Sequence, residues 1–156
     1  MTSTDANVLT NFVVQEGWHM ETVPFKASTA IAQGAAVGIE IDTNNVTGNL
    51  TLMGTENAAG ADFAGIMITP VAATDDDYAT AGKLKQVWIP DSIYSTAKFA
   101  VGTGTFTLSD VYKTVEFHSD SLGLAVDTAG KGARIVGFES ATRGLCTFAM
   151  PATETA

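Results

Sequence analysis

The chain has 156 residues, the size of one domain, and can bury about 70% of its unfolded surface around a single core. Eight Lys and Arg against 17 Asp and Glu leave a net charge of −9, which excludes the positive field that sequence-independent nucleic-acid binding needs. With 46% hydrophobic and 16% charged residues, the composition fits neither a disordered acidic tail nor a long solvated helix.

In chain order, Met1 to Asn7 carry neither a basic nor an apolar leader stretch, so no secretory signal is expected. The single cysteine, Cys146, cannot form an internal disulfide and fits synthesis in a reducing cytosol. Apolar runs separated by Gly, Asn, Asp and Ser clusters then predict short strands at Val8 to Val14, Ala36 to Ile41, Asn49 to Met53, Phe63 to Thr69 and Leu84 to Ile89. The pattern continues at Thr105 to Leu108, Lys113 to Phe117, Leu122 to Val126, Arg134 to Glu139 and Leu145 to Met150. Between Thr69 and Lys83 the polar, acidic sequence predicts an exposed loop. The longest uncharged stretch, Ala27 to Ile39, is too short and too interrupted for a membrane span, and no partner membrane is expected. Only Ser28 to Gln33 offers helical character, one or two turns at most. The expected fold is all-β, a compact β-barrel or β-sandwich of short strands with an extended N-terminal arm.

Two stretches echo one another. Ala59-Gly60 leads to Phe63-Ala64-Gly65-Ile66 and then to Leu84 through Pro90; Ala129-Gly130 leads to Ile135-Val136-Gly137-Phe138 and then to Leu145 through Pro151. Glycine and alanine recur by chance in such a composition, so the echo alone leaves duplication open. Duplication implies a barrel or sandwich of two related halves.

Candidate chemistry is sparse. Glu116, His118 and Asp120 alternate, so on one strand they project from one face, as metal ligands or a base with its orienting carboxylate do; the competing reading is a solvated strand face. Asp75-Asp76-Asp77 lacks the spacing of a calcium loop. Cys146 sits in an apolar run and reads as a small buried hydrophobe. Gly102-Thr103-Gly104 has no third glycine and no following helix, so it is a tight turn rather than a phosphate cradle. Trp18, Trp88 and Tyr94 are the candidates for a sugar-stacking platform, with Trp88 in a core-like run. No cofactor and no enzymatic activity are expected.

The turn-then-valine entry Gln33-Gly34-Ala35-Ala36-Val37, the two apolar-x-Gly-apolar strands and the ending Gly144-Leu145-Cys146-Thr147-Phe148-Ala149-Met150-Pro151 resemble the capsid decoration, or cement, proteins of tailed bacteriophages. The likeness spans Ala30 to Pro151 and is one of pattern and composition, without an invariant motif. It implies a structural virion protein, made in the host cytoplasm, that binds the outer surface of an icosahedral capsid and stabilises the shell. Its implied partners are the major capsid protein and itself, as a homotrimer; the alternative is a carbohydrate-binding or receptor-binding β-sandwich of head-fibre type. On this reading residues 1–23 form the arm and 24–156 the decoration domain, with Val8, Leu9, Phe12, Val13 and Val14 as the candidate capsid contact. The same segment reads equally as an edge strand of its own domain.

Overall fold

Threonine and the β-branched residues favour extended backbone, and here they build strands almost throughout. The computed structural model describes residues 11–23, 26–27, 29–42, 45–54, 61–72, 85–130 and 132–148. Among them are β1 (Val13–Val14), β2 (Trp18–Val23), β3 (Lys26–Ala27), β4 (Ala36–Asp42), β5 (Asn45–Leu52), β6 (Ala61–Met67) and β7 (Lys85–Pro90). The second half holds β8 (Thr96–Thr103), β9 (Thr114–Phe117), β10 (Gly123–Ala129), β11 (Ala133–Ser140) and β12 (Arg143–Phe148). The described residues contain no α-helix, only a 3-10 turn at Leu108–Asp110.

The strands form two six-stranded sheets. One runs β1-β8-β10-β9-β11-β12, and β12 pairs back onto β8, so β8 to β12 close into a barrel and β1 lies against the first half of β8. The other runs β2-β7-β6-β4-β5-β3, and its two ends are consecutive pieces of chain. The two sheets share one connectivity. As β8 lies antiparallel to β12 through its first half and parallel to β10 through its second, so β2 lies antiparallel to β7 and β3 parallel to β5. Strands β4 and β9 each pair with the following strand and the next but one, and β6 and β11 each pair with the strand after them.

Register supports the correspondence where β2, β3 and β5 match β8 and β10. One constant offset carries the pairs Lys26–Asn49 and Ala27–Leu50 onto Ala100–Gly123 and Val101–Leu124. The same offset carries Val23 onto Ala97, whose partners Lys85 and Cys146 are the residues that follow the two leucines of the echo. The sequence echo therefore has a counterpart in topology: two halves of like connectivity, β2 to β7 and β8 to β12.

Each half encloses apolar side chains. Ala27, Val37, Leu50, Met67 and Val87 form one cluster. Phe99, Phe117, Leu124, Ile135, Cys146 and Phe148 form another, into which Phe12, Phe63 and Ile66 also pack. Gly65 lets β6 approach β7, since a Cβ there would stand 2.1 Å from the Trp88 carbonyl oxygen.

Three departures from the sequence reading have physical reasons. The polar edge strand β2, the short β3 and the Ala-, Lys- and Gly-bearing β8 carry weak strand signals, yet β8 is central because it is bonded on both sides. Thr105 to Leu108 is a connection entering the 3-10 turn rather than a strand. Residues 12–23 supply a core phenylalanine and two strands, so this stretch of the segment read as an arm packs with the folded body.

Candidate functional site

Two of the exposed large hydrophobic side chains among the described residues, Leu108 and Tyr112, lie in the connection between β8 and β9. After β8, Phe106 turns inward to meet Phe99, with ring centroids 5.3 Å apart, and Gly144 leaves room for it. The chain then forms the 3-10 turn. Asp110 organises it: its carboxylate accepts the Thr107 backbone N–H at 2.9 Å and the Lys113 ammonium at 2.9 Å, and its own N–H donates to the Thr107 carbonyl. The Thr107 N–H first, and the Lys113 ammonium second, hold the buried Asp110 carboxyl below the ordinary carboxylate range.

Leu108 on this turn is 70% exposed and Tyr112 just after it is 68% exposed. Tyr112 has φ +78°, a left-handed backbone uncommon for an aromatic residue, and its N–H donates to the Ile135 carbonyl at 2.6 Å. The Arg134 guanidinium lies 5.3 Å from its ring centroid. On the neighbouring β11, exposed Phe138 packs on Phe106 with centroids 5.0 Å apart. Ion pairs in the same segments join Asp110 to Lys113 and Glu139 to both Lys98 and Arg143. Leu108, Tyr112 and Phe138 thus stand exposed, Tyr112 beneath the Arg134 guanidinium and Phe138 against the buried Phe106.

The residues singled out from sequence fall elsewhere. Phe12 is 3% exposed, edge-on to Phe117 and Phe148, and Val13 and Val14 form β1 against Lys98 and Ala97. Val8 and Leu9 lie outside the described residues, as does Asp75-Asp76-Asp77. Strand β9 ends at Phe117, and the His118 carbonyl accepts the Ser121 N–H at 2.8 Å, turning the chain. Glu116, His118 and Asp120 therefore do not alternate along one strand, and His118 Nε2 stands 3.9 Å from Asp120 Oδ2. Among the described residues no three His, Cys, Asp or Glu gather where they could hold a metal.

Cys146 is fully buried, and burial pushes its thiol far up from the ordinary value. Trp18 and Trp88 pack against the core, Trp18 donating its Nε1–H to the Thr96 carbonyl at 2.7 Å, which leaves Tyr94 the one exposed member of the suggested platform. His19 sits between two carboxylates, Nε2 to Glu21 Oε2 and Nδ1 to Asp91 Oδ1, each at 2.5 Å. Sequence spacing offers His19–Glu21 as an i, i+2 pair, but Asp91 reaches the ring only because β2 pairs with β7. The exposure of Leu108, Tyr112 and Phe138 was not legible in sequence; its one signal is Lys113 interrupting the alternation of Val111, Val115 and Phe117.

Comparison of the chain with protein-family models, with curated proteins and with solved structures gives no match in any of the three.

Proposed function

We propose that this chain is a structural virion protein that binds the outer surface of an icosahedral phage capsid and stabilises the shell, with the major capsid protein and further copies of itself as partners. The reading rests on the resemblance of its sequence pattern to capsid decoration proteins and, above all, on the exposed, strained Tyr112 beside Leu108. Strain at an exposed aromatic residue persists only where the surroundings enforce it, and such outliers cluster at binding surfaces. A preorganised tyrosine loses little freedom on docking, so its burial is not offset by ordering. A site repeated over a shell then gains by avidity what a single contact lacks.

The test is co-sedimentation with undecorated shells of the phage that encodes the chain. The wild type is expected to pellet with the shells, and Tyr112→Ala and Leu108→Asp to stay in the supernatant at an unchanged melting temperature. Removing residues 1–10 separates the arm from this surface, because it spares Phe12 and β1. Loss of shell binding in that truncation alone would move the anchor to Val8 and Leu9. A wild-type chain that ignores shells but binds a glycan array would replace this reading with the carbohydrate-binding one.

A further inference from the structure

The likeness between the two halves breaks down at one edge. The first half of β8 is bonded on both sides, by β12 and by β1, which pairs antiparallel with Ala97 and Lys98. Its counterpart β2 is bonded on one side only: Trp18 to Val23 pair with β7, and β2 ends the strand order of its sheet. Among the described residues nothing lies along the other side of β2. The alternate residues of β2 whose N–H and C=O groups point away from β7 therefore have no strand partner among the described residues, where the second half of the molecule places an antiparallel strand.

The side chains on β2 specify what fits there. Met20 is 49% exposed, with His19 before it and Glu21 after it, their side chains 47% and 53% exposed. Residues directly opposite in an antiparallel pair share a face and interact, opposite charges favourably. If two β2 strands meet around a twofold axis through Met20, methionine faces methionine, and the His19–Glu21 pair within each copy faces the same pair of the other in reverse order, so that no like charges stand directly opposite. Trp18 of each then stands opposite Thr22. The sequence Trp18-His19-Met20-Glu21-Thr22 is thus complementary to its own reverse, which is what an isologous contact demands.

We propose that the open edge of β2 pairs antiparallel with β2 of a second copy of this chain, centred on Met20. The pair is twofold, so it is a different contact from the threefold one that the resemblance implies, and it is measured on free protein without any shell.

Cysteine cross-linking reads the register. Across such a pair facing Cα atoms lie about 4.5–5.5 Å apart, within disulfide range. The native Cys146 is buried, so an introduced cysteine reports alone. Met20→Cys under mild oxidation is expected to run as a covalent two-chain species on a denaturing gel. Val13→Cys, at an exposed valine on β1, is expected to remain one chain. In sedimentation at high micromolar concentration the wild type is expected to form twofold pairs, and Met20→Lys, which sets two ammonium groups face to face, to abolish them with an unchanged circular dichroism spectrum. Absence of the Met20→Cys species, equal cross-linking at Val13→Cys, a wild-type monomer, or pairing that survives Met20→Lys would each overturn the proposal.

Discussion

The rings of Phe63 and Phe148 stack with centroids 4.6 Å apart and planes 6° from parallel, one on β6 and the other on β12. Phe63 also stacks on Phe117 at 6.1 Å, and Phe12 meets Phe148 edge-on at 5.5 Å. Four phenylalanines thus join the two sheets into one core. Phe63→Ala is expected to cost about 3–5 kcal/mol, the usual range for emptying a buried aromatic site. Because the rings belong to both halves, chemical denaturation monitored by tryptophan fluorescence and by circular dichroism should show coincident transitions in the wild type.

Tyr112 predicts a separation of stability from binding. Glycine adopts φ +78° freely, whereas a β-branched side chain there is strongly disfavoured. Tyr112→Gly and Tyr112→Val both remove the ring and its contact with Arg134, so the difference between them isolates the backbone. The glycine variant should be the more stable of the two by about 1–2 kcal/mol in urea titrations, and both should lose shell binding.

Cys146 should be silent in the folded protein. Its thiol is fully buried and its pKa raised by desolvation, so a thiol-reactive dye is expected to label it only as the chain unfolds. Cys146→Ser places a hydroxyl in the same apolar site, at a cost of about 1–3 kcal/mol. Labelling of the native protein at the rate of a free thiol would show that this part of the barrel opens readily.

His19 gives a pH signature. Hydrogen bonds donated by its ring to the carboxylates of Glu21 first and Asp91 second raise its pKa above the ordinary 6.5. A raised folded-state pKa contributes stability that is fully present below 6.5 and is lost as pH rises through the folded value. The melting temperature of the wild type should therefore exceed that of His19→Gln at pH 6, and the gap should narrow on the alkaline side. An imidazole proton titration by NMR should place the midpoint above 6.5 and return it towards that value in the Glu21→Gln, Asp91→Asn double variant.

What the sequence by itself determined was the class of structure and the positions of the strongest strands. β4, β6, β7, β9, β10, β11 and β12 overlap apolar or alternating runs, because strand preference for such residues is a local property. The echo was legible too, since Phe63-Ala64-Gly65-Ile66 and Ile135-Val136-Gly137-Phe138 occupy corresponding strands, β6 and β11.

Only the tertiary structure decided the rest. Strand β8 has a weak local signal, with Ala97, Lys98, Ala100 and Gly102, and becomes central because β12, β10 and β1 all bond to it. Phe12 was legible as apolar, but whether it leaves the body or fills the core depends on Phe117 and Phe148, more than a hundred residues away. Tyr112 takes its left-handed backbone from a hydrogen bond to Ile135, and His19 meets Asp91 only across the β2–β7 pairing. Local preference sums over neighbours in sequence, whereas partner choice and exposure are set by which distant segments fill the same space.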